Sequence, residues 1–437
     1  MKQKQILFLV ILFLSFSKNV FSAENEKPQE NLTKEEKILT LEDCVSLAKE
    51  NNLSIKVEQN TLNDLKRKNE TSWNSVSPSI KGEASFLDDF SKNTESFSVS
   101  GSLGLTLSTN LYSTIKGVKL NYENGLLTYN QAVKQIEMSV WKTFYGLIYK
   151  TEYLSFQSQN LLTAKKNYEQ NLEKFKNGKI SELDVMTSRV NYEQKKPTVE
   201  EARIGLVNDM ELFKQIIGVP FDEEIKLSGS LDSFLELKNV KLPPKEKPAP
   251  NVQAAQFALQ IAENNLLADR FSAYGPVISG SYKYGQSLNI DNSLWNETNS
   301  LTVAVLIPLD GYLPWSQGAV AINSKKQAVD SARLKLEDAE TSIRVNTENA
   351  LRKINQIISM LEVSKQNVEL AKKTYEMTET AYNYGKTDFL TLQNASDSVL
   401  NAEVSLKNQA KTLIETLLDT EYLLGLEFGT ILKLSNE

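Results

Sequence analysis

The chain has 437 residues, a formal net charge of −6 at pH 7 and 41% hydrophobic residues, which is typical of a folded protein and too apolar for a disordered one. It contains no histidine and one cysteine, so it lacks the commonest general base and can form neither an intramolecular disulfide nor a multi-cysteine metal site. No basic stripe with interleaved aromatic residues is present, so nucleic acid is not expected as a partner. We expect no cofactor and no metal, and we expect Cys44 to be a small buried hydrophobe.

The first 22 residues have the pattern of a secretory signal peptide. Lys2 and Lys4 precede the apolar segment 6–16. Val20 and Ser22 stand three residues and one residue before the expected cleavage site, which follows Ser22. The apolar segment is too short to span a bilayer. We therefore expect an exported protein whose N-terminal segment, residues 23–40, is flexible.

Two segments with period-two alternation predict β-hairpins. In residues 79–108 and again in residues 277–307, apolar residues alternate with serine, threonine and glycine. Each segment is expected to form two strands with one apolar and one small-polar face, joined by a polar loop at 88–95 in the first hairpin and 286–300 in the second. The charged residues of the polar faces are Lys81, Glu83 and Lys283.

Helical periodicity surrounds each hairpin in the same order: a shorter helix before it, a very long helix after it, and a return helix beyond a glycine. In the first long helix, Val140, Leu147, Leu154 and Leu161 recur at the spacing of seven that a coiled-coil seam requires. Pro197 predicts a bend in the first return helix. The expected ranges are about 41–73, 115–177 and 181–217 in the first half, and about 251–273, 317–384 and 388–424 in the second.

These lengths indicate how each half is built, because each long helix could face two shorter ones laid end to end. Each half is therefore expected to form a two-stranded coil, with the first repeat at 41–217 and the second at 251–425. The proline-rich residues 218–250 connect the repeats as an equatorial segment, and residues 426–437 form a C-terminal tail. Both are expected to lie outside the coils.

A repeated block indicates that the two halves arose by duplication. Between residues 159 and 179, 9 of 21 residues are identical to those found 207 positions later. The same register aligns Gly178-Lys179 with Gly385-Lys386. A period of this length is too long for a solenoid unit, so it indicates a duplicated half-protein. Both glycines stand where a left-handed residue would end the preceding helix.

Four strands with these faces, in an exported chain, fit the wall of a transmembrane β-barrel. Only a closed barrel satisfies backbone groups in lipid, and four strands are too few, since the smallest barrels have about eight. Two copies would give about eight strands around a filled interior, whereas three copies would give about twelve strands and a lumen. We therefore expect a trimer whose lumen is lined by the charged residues of the polar faces. A soluble sheet that packs on the helices is the alternative interpretation.

Three short motifs accompany this order of elements, which repeats over about residues 41–427. They consist of Phe175, Gly178, Asp184 and Val185 in the first half, Tyr382, Gly385 and Leu390 in the second, and Pro308-Leu309-Asp310-Gly311 after the last strand. Together they resemble the TolC-type outer-membrane efflux protein family. The resemblance implies a mainly α-helical homotrimer with membrane β-structure, in which an outer-membrane barrel of about twelve strands continues as a periplasmic helical tunnel.

The resemblance also implies function and partners. Such proteins are passive ducts of tripartite efflux or type I secretion systems, in the outer membrane of diderm bacteria, with a large periplasmic part. Their partners are outer-membrane lipid, a periplasmic adaptor protein and an inner-membrane pump or ABC transporter. The helix turns at the periplasmic tip meet the adaptor. The matching positions here are Gly178, Lys179, Ile180, Ser181, Gly385, Lys386 and Thr387.

The tunnel entrance of this family often has aspartates on the second return helix, but Thr391 and Asn394 occupy the aligned positions here. Asp184 and Asp388 could supply a weaker acidic ring, or they could be solvated charges at helix N-termini. Tyr382 matches a tyrosine that helps to hold the closed entrance. An arginine expected two residues after the second glycine is replaced by Thr387, so a different closing network is expected.

Two other classes of function were weighed. An exported enzyme without histidine would need a carboxylate pair or a serine–lysine arrangement, and no such motif appears in a suitable context. We therefore do not expect an enzyme. A periplasmic coiled-coil scaffold without a pore remains the alternative to the duct.

Overall fold

The structure, a computed structural model, describes residues 37–90, 94–243, 248–289 and 294–436. The expected signal peptide and residues 23–36 lie outside the described residues. The first half comprises β1 (Lys37–Leu39), α1 (Leu41–Asn51), α2 (Leu53–Glu70), a 3-10 turn (Ser72–Val76), β2 (Ser79–Asp89), β3 (Thr94–Ser108), α3 (Leu111–Lys176) and α4 (Glu182–Ile217). The connecting segment contains β4 (Ile225–Leu227) and α5 (Asp232–Leu235). The second half comprises α6 (Pro250–Tyr274), β5 (Val277–Asn289), β6 (Leu294–Leu306), a 3-10 turn (Asp310–Tyr312), α7 (Gln317–Asn383) and α8 (Phe389–Leu424), followed by α9 (Thr430–Asn436).

The long helices set the dimensions of the molecule. α3 has 66 residues and α7 has 67, so each is about 100 Å long. The return helices α4 and α8 have 36 residues each. All four begin and end within a few residues of the ranges expected from periodicity. α4 continues through Pro197 as one helix.

The expected single helix over residues 41–73 is wrong, because Asn52 divides it into α1 and α2. The side chain of Asn52 accepts hydrogen bonds from the N–H groups of Ser54 and Ile55, which begin α2. Its amide donates at 2.8 Å to the carbonyl of Ile216 at the end of α4. One asparagine therefore begins one helix and satisfies the end of another, so the break is stabilised by a contact 164 residues away in sequence.

The four long strands form one antiparallel sheet with the order β2-β3-β5-β6. The two hairpins are therefore joined through β3 and β5. The expected loop at residues 286–300 is wrong, since β5 extends to Asn289 and β6 begins at Leu294. Likewise, β2 and β3 extend into the loop expected at 88–95. Backbone pairing does not require apolar side chains, so the ladder continues where the alternation of side chains ends.

The register places the two kinds of side chain on opposite faces of the sheet. One face has rows such as Ile80, Leu103, Tyr282 and Leu301, which are paired across the four strands. The other face is made mainly of serine, threonine and asparagine. From Leu107 to Phe97 the apolar side of β3 covers about 33 Å along the strand. A strand tilted by about 40° would then present a band roughly 25 Å tall, which is the height of the lipid-facing belt of outer-membrane barrels.

The helices pack as two coils, which are joined by contacts of α3. In coil 1, α3 packs against α2 and α4; in coil 2, α7 packs against α6 and α8. α3 also contacts α6 and α8, and this joins the coils within one chain. The central core contains the fully buried Val140, Phe144 and Leu147 of α3 and residues of α1, α4, α7 and α8. Cys44 is buried here, as expected, and burial raises the pKa of its thiol to about 12.

The N-terminal segment, the connecting segment and the tail all pack on this core. β1 pairs in parallel with β4, so the end of the segment expected to be flexible is ordered, and Leu39 is buried. The ring of Phe234 lies 5.2 Å from that of Tyr145, near the midpoint of α3. In the tail, the Phe428 ring lies 6.3 Å from Trp141. These segments therefore cover the helices at mid-length, as the term equatorial implies, and they contribute to the core.

The tail is attached by a buried carboxylate. Glu421 of α8 is 1% exposed and accepts hydrogen bonds from the N–H groups of Gly429 at 2.9 Å and Ile431 at 2.7 Å. Burial raises the pKa of Glu421 above its ordinary value of 4.5, although these backbone hydrogen bonds oppose the shift. Glu421 thus satisfies N–H groups at the beginning of α9.

Among the described residues, no helix combines the length and the apolar character needed to cross a lipid bilayer.

Candidate functional site

The tips of the two coils are closed by the same glycine turn. Gly178 has φ of 68° and Gly385 has φ of 71°, in the left-handed region. The N–H of Gly178 bonds the carbonyl of Phe175 at 2.8 Å, and that of Gly385 bonds the carbonyl of Tyr382 at 3.0 Å. A Cβ on either glycine would have nothing within 4 Å, so backbone conformation, and not space, favours glycine there. The expectation that these glycines end the long helices in a left-handed conformation is confirmed.

The residues around the glycines form two small exposed surfaces. Lys179, Ser181 and Lys386 are exposed, whereas Ile180 and Thr387 are half-buried at equivalent positions. Next to them, Leu183 is 72% exposed and its counterpart Leu390 is 57% exposed. Sequence reasoning included Leu390 in the motif of the second half but did not assign an exposed surface to either leucine. Exposed apolar side chains at both tips are consistent with a surface that a partner covers.

Both predicted entrance aspartates are helix caps. Oδ2 of Asp184 accepts hydrogen bonds from the backbone N–H of Ser181 at 3.1 Å and from its hydroxyl at 2.7 Å, while the Ser181 hydroxyl accepts from the N–H of Asp184. In the other tip, Oδ1 of Asp388 accepts from the N–H of Thr391 at 2.7 Å. Hydrogen bonds from Thr391 lower the pKa of Asp388 below its ordinary value of 3.8. Each carboxylate therefore interacts first with the N-terminus of its own return helix.

The two helix caps use a carboxylate and a hydroxyl in opposite order along the chain. Ser181 and Asp388 occupy equivalent positions, as do Asp184 and Thr391, because each pair is separated by 207 residues. Each tip thus keeps one carboxylate and one hydroxyl in reversed order. Although Thr391 replaces the carboxylate of Asp184, Asp388 supplies one in the second half, so both return helices are capped. Asn394 lies one turn further along α8 and is exposed.

Tyr382 connects the two coils near the tips. Its hydroxyl donates a hydrogen bond of 2.6 Å to Oδ1 of Asn171 on α3. Nζ of Lys174 lies 4.3 Å from the centre of the tyrosine ring. Burial raises the pKa of Tyr382, and burial lowers that of Lys174. Asn171 is completely buried, and its Nδ2 has no hydrogen-bond partner among the described residues.

Sequence reasoning missed Asn171, although a signal was present. The residue lies three positions after Tyr168 of the heptad seam, at an inward-facing position where an apolar residue is usual. Two other contacts between the coils were also missed. Gln393 donates to Asn191 at 2.9 Å, and Lys195 donates to Asp397 at 2.8 Å. The parts of the two coils nearest the glycine tips are therefore joined by polar contacts.

The three charged residues predicted to line a lumen lie on the polar face of the sheet. Lys81 pairs with Ser102, Ser102 also pairs with Lys283, and Lys283 pairs with Ser300. Glu83 lies on the same face in the next row, which is opposite Ser100. All three charged side chains are exposed. Their role in a lumen stays a prediction.

Within the described part of the chain, no group of three or more Cys, Asp or Glu residues is placed to hold a metal ion.

Long paired helices occur in duplicate, and each pair is attached to one hairpin of a two-faced sheet; comparison with known proteins finds relatives with this architecture. Residues 246–425 match the model of the family described as "Outer membrane efflux protein". The chain is 22% identical over 314 residues to the outer membrane protein TolC of Escherichia coli, a match that covers 68% of this chain and 63% of TolC. The chain thus spans less than two thirds of that relative.

Solved structures show the same fold over nearly the whole chain. The CmeC outer membrane channel of Campylobacter jejuni superposes with a TM-score of 0.71 at 17% identity, covering 96% of this chain and 98% of CmeC. A membrane protein from Pseudomonas aeruginosa superposes with a TM-score of 0.72 at 14% identity, covering 89% and 90% of the two chains. The second half of the chain is thus similar to the outer membrane efflux protein family, and the chain as a whole shares the fold of these solved structures, in agreement with the resemblance of its motifs. The matched relative and the CmeC structure are described as outer membrane proteins, which agrees with the location expected from the sequence.

Proposed function

We propose that this protein is the outer-membrane channel-tunnel component of a tripartite efflux or type I secretion system, and that it acts as a passive export duct. The observation that carries the proposal is the four-stranded sheet, with one apolar and one polar face, attached to helices of 66 and 67 residues. The apolar face fits lipid and the polar face fits an aqueous lumen. The helices are long enough to extend about 100 Å from the membrane.

The sheet supports assembly as a trimer. Within one chain, β2 and β6 are edge strands, because each pairs with only one neighbour. Unpaired backbone groups are not tolerated in lipid, so both edges require partners. If β6 of each chain pairs with β2 of the next, three chains give a closed barrel of about twelve strands with a lumen. Large apolar side chains on the edge strands, including Ile80, Leu301 and Val303, are more than two-thirds exposed in the single chain.

The tips support docking to a periplasmic adaptor that links the duct to an inner-membrane pump or ABC transporter. They combine left-handed glycines with exposed leucines and lysines at two equivalent positions per chain. A trimer would repeat this surface six times around the tunnel end. This multiplicity suits a ring of adaptor molecules.

Tyr382 and Asn171 are the residues that we propose to hold the tunnel entrance closed. Their hydrogen bond joins the coils close to the tips, where separation of the coils would widen the opening. The contacts of Asn191 with Gln393 and of Lys195 with Asp397 extend the connection along the coils. Thr391 and Asn394 replace the acidic pattern of the family at this entrance.

A duct needs no reacting groups, and we infer that the protein is not an enzyme. Asp184 and Asp388 form helix caps and Lys195 pairs with Asp397 between the coils, which are structural roles. The scaffold alternative has no comparable support, since it does not explain why one face of the sheet is apolar and exposed.

The proposal is tested by purifying the chain from outer membranes and measuring its mass and its conductance in planar bilayers. A trimer that forms discrete aqueous channels is the expected result. Cysteines introduced at facing positions of β2 and β6 should cross-link between chains. A chain that remains a monomer in the soluble fraction, with no conductance, would favour the scaffold.

A further inference from the structure

We propose that the trimeric duct prefers anions, and that Lys81 and Lys283 set this preference in the barrel; the inference rests on the proposed export function. Among the described residues, the charges near the middle of the polar face are these two lysines and Glu83. The inference concerns the class of solute that passes and identifies the side chains that select it.

The two lysines belong to one row of the sheet. Ser102 is the register partner of both, with Lys81 on the neighbouring strand at one side and Lys283 at the other. Adjacent strands lie about 4.8 Å apart, so the backbones of the two lysines are about 10 Å apart. In a closed trimer this row would place six lysines at one level of the lumen.

The positive charge of this row is only partly balanced. Glu83 lies one row away on the same face, and it contributes one carboxylate for every two lysines. Among the described residues, the next carboxylate on this face is Asp89, eight residues from Lys81 along β2 and about 26 Å away from it. That distance exceeds the screening length of about 10 Å in ordinary salt. A trimer would therefore have six positive and three negative charges in two adjacent rows.

The lysines are available to solutes. Both side chains are exposed, and the described residues around them form no ion pair with either. Their register partners on the same face, Ser102 and Ser300, are neutral, so Glu83 is the opposing charge next to them among the described residues. A water-filled passage with low-dielectric walls concentrates the field of such groups, so anions enter more readily than cations.

At the tips, the two aspartates predicted to line the entrance are not free acidic groups. Asp184 and Asp388 are held in helix caps, where the N-terminus of each return helix offsets their charge. Thr391 and Asn394 are neutral. Lys174, a cation, lies against the ring of Tyr382. Both ends of the route are therefore compatible with anionic cargo, such as small organic carboxylates, phosphates or sulfonates.

The test is ion selectivity of the purified full-length trimer in planar bilayers under a potassium chloride gradient. The wild type is expected to pass chloride more readily than potassium. The double variant K81Q/K283Q should lower the ratio of chloride to potassium permeability at least about twofold. The opposite change, E83Q, should raise this ratio. S102T alters the same row without changing its charge and should leave the ratio unchanged.

Each outcome decides the inference. A conducting trimer that prefers potassium, or one whose ratio is unchanged in K81Q/K283Q, overturns it and leaves the duct intact. If the double variant does not insert, E83Q decides alone, and an unchanged ratio in that variant overturns the inference. A wild-type chain that forms no conducting trimer contradicts the proposed function instead.

Discussion

The hydroxyl of Tyr382 donates a 2.6 Å hydrogen bond to Oδ1 of Asn171, and this bond joins α7 of coil 2 to α3 of coil 1. The asparagine is completely buried and the tyrosine is half-buried. A hydrogen bond of this kind contributes about 1 kcal/mol net, enough to shift an equilibrium about fivefold. A single pair near the tips can therefore bias the entrance towards the closed state without locking it.

Removal of this hydrogen bond should open the entrance. We expect Asn171→Leu and Tyr382→Phe each to increase the single-channel conductance or the time spent open, by up to about fivefold in the open-to-closed ratio. Because both changes remove the same bond, the double variant should add little to either. Tyr384→Phe is the control, since Tyr384 is exposed and lies only two residues away. Fully additive effects would show that the two residues act separately.

The faces of the sheet should respond differently to charge. Leu301 and Thr302 are neighbours on β6, but they lie on the apolar and the polar face respectively. Leu301→Lys should cost about 2–4 kcal/mol at the middle of the lipid belt and reduce the amount of assembled trimer. Thr302→Lys should assemble nearly as well as the wild type. The measurement is the fraction of outer-membrane protein recovered as trimer, and equal losses in both variants would contradict the assignment of faces.

The glycine tips offer a test of docking that leaves the turn intact. Asparagine tolerates the left-handed conformation, so Gly178→Asn should preserve the turn while adding a side chain to the tip. We expect export, measured as dye accumulation in cells without another duct, to fall while the amount of trimer is unchanged. Gly205→Asn is the control, because Gly205 also has open space around it but lies about 35 Å along α4. Normal export by Gly178→Asn would argue against tip docking.

The buried carboxylate of the tail should make stability depend on pH. The pKa of Glu421 is raised in the folded state, so the folded chain binds this proton more tightly than the unfolded chain does. Its contribution to stability is therefore fully present below pH 4.5 and is lost as pH rises through the raised pKa. As pH rises through this range, the thermal unfolding temperature of the wild type should fall relative to that of Glu421→Gln.

The same variant should also loosen the tail. An amide cannot accept both N–H groups of α9, so Glu421→Gln should cost about 1–3 kcal/mol and expose the C-terminus to proteases. Glu415→Gln on the same helix is the control, because that side chain is partly exposed and pairs only with Lys411. If the wild type and Glu421→Gln showed the same pH dependence, the raised pKa would not contribute to folding.

Several elements could be predicted from local sequence because their signals are local. The glycines at 178 and 385 ended the long helices as expected, since a left-handed turn follows from the residue type. Alternation placed Lys81, Glu83 and Lys283 on the polar face, where the register puts them. Asn52 was missed, because its capping role depends partly on the carbonyl of Ile216 on another helix. The contacts of Asn171 and Asn191 depend in the same way on partners in the other repeat.

The sequence by itself determined the duplication, the helix and strand periods, the two faces of the sheet and the family motifs. These properties follow from residue types and their spacing along one segment. Tertiary structure alone decided that β3 pairs with β5, that Tyr382 reaches Asn171, and that Asp184 and Asp388 are caps in equivalent turns. Such contacts join residues far apart in sequence, so they depend on how the elements pack together, which local spacing does not record.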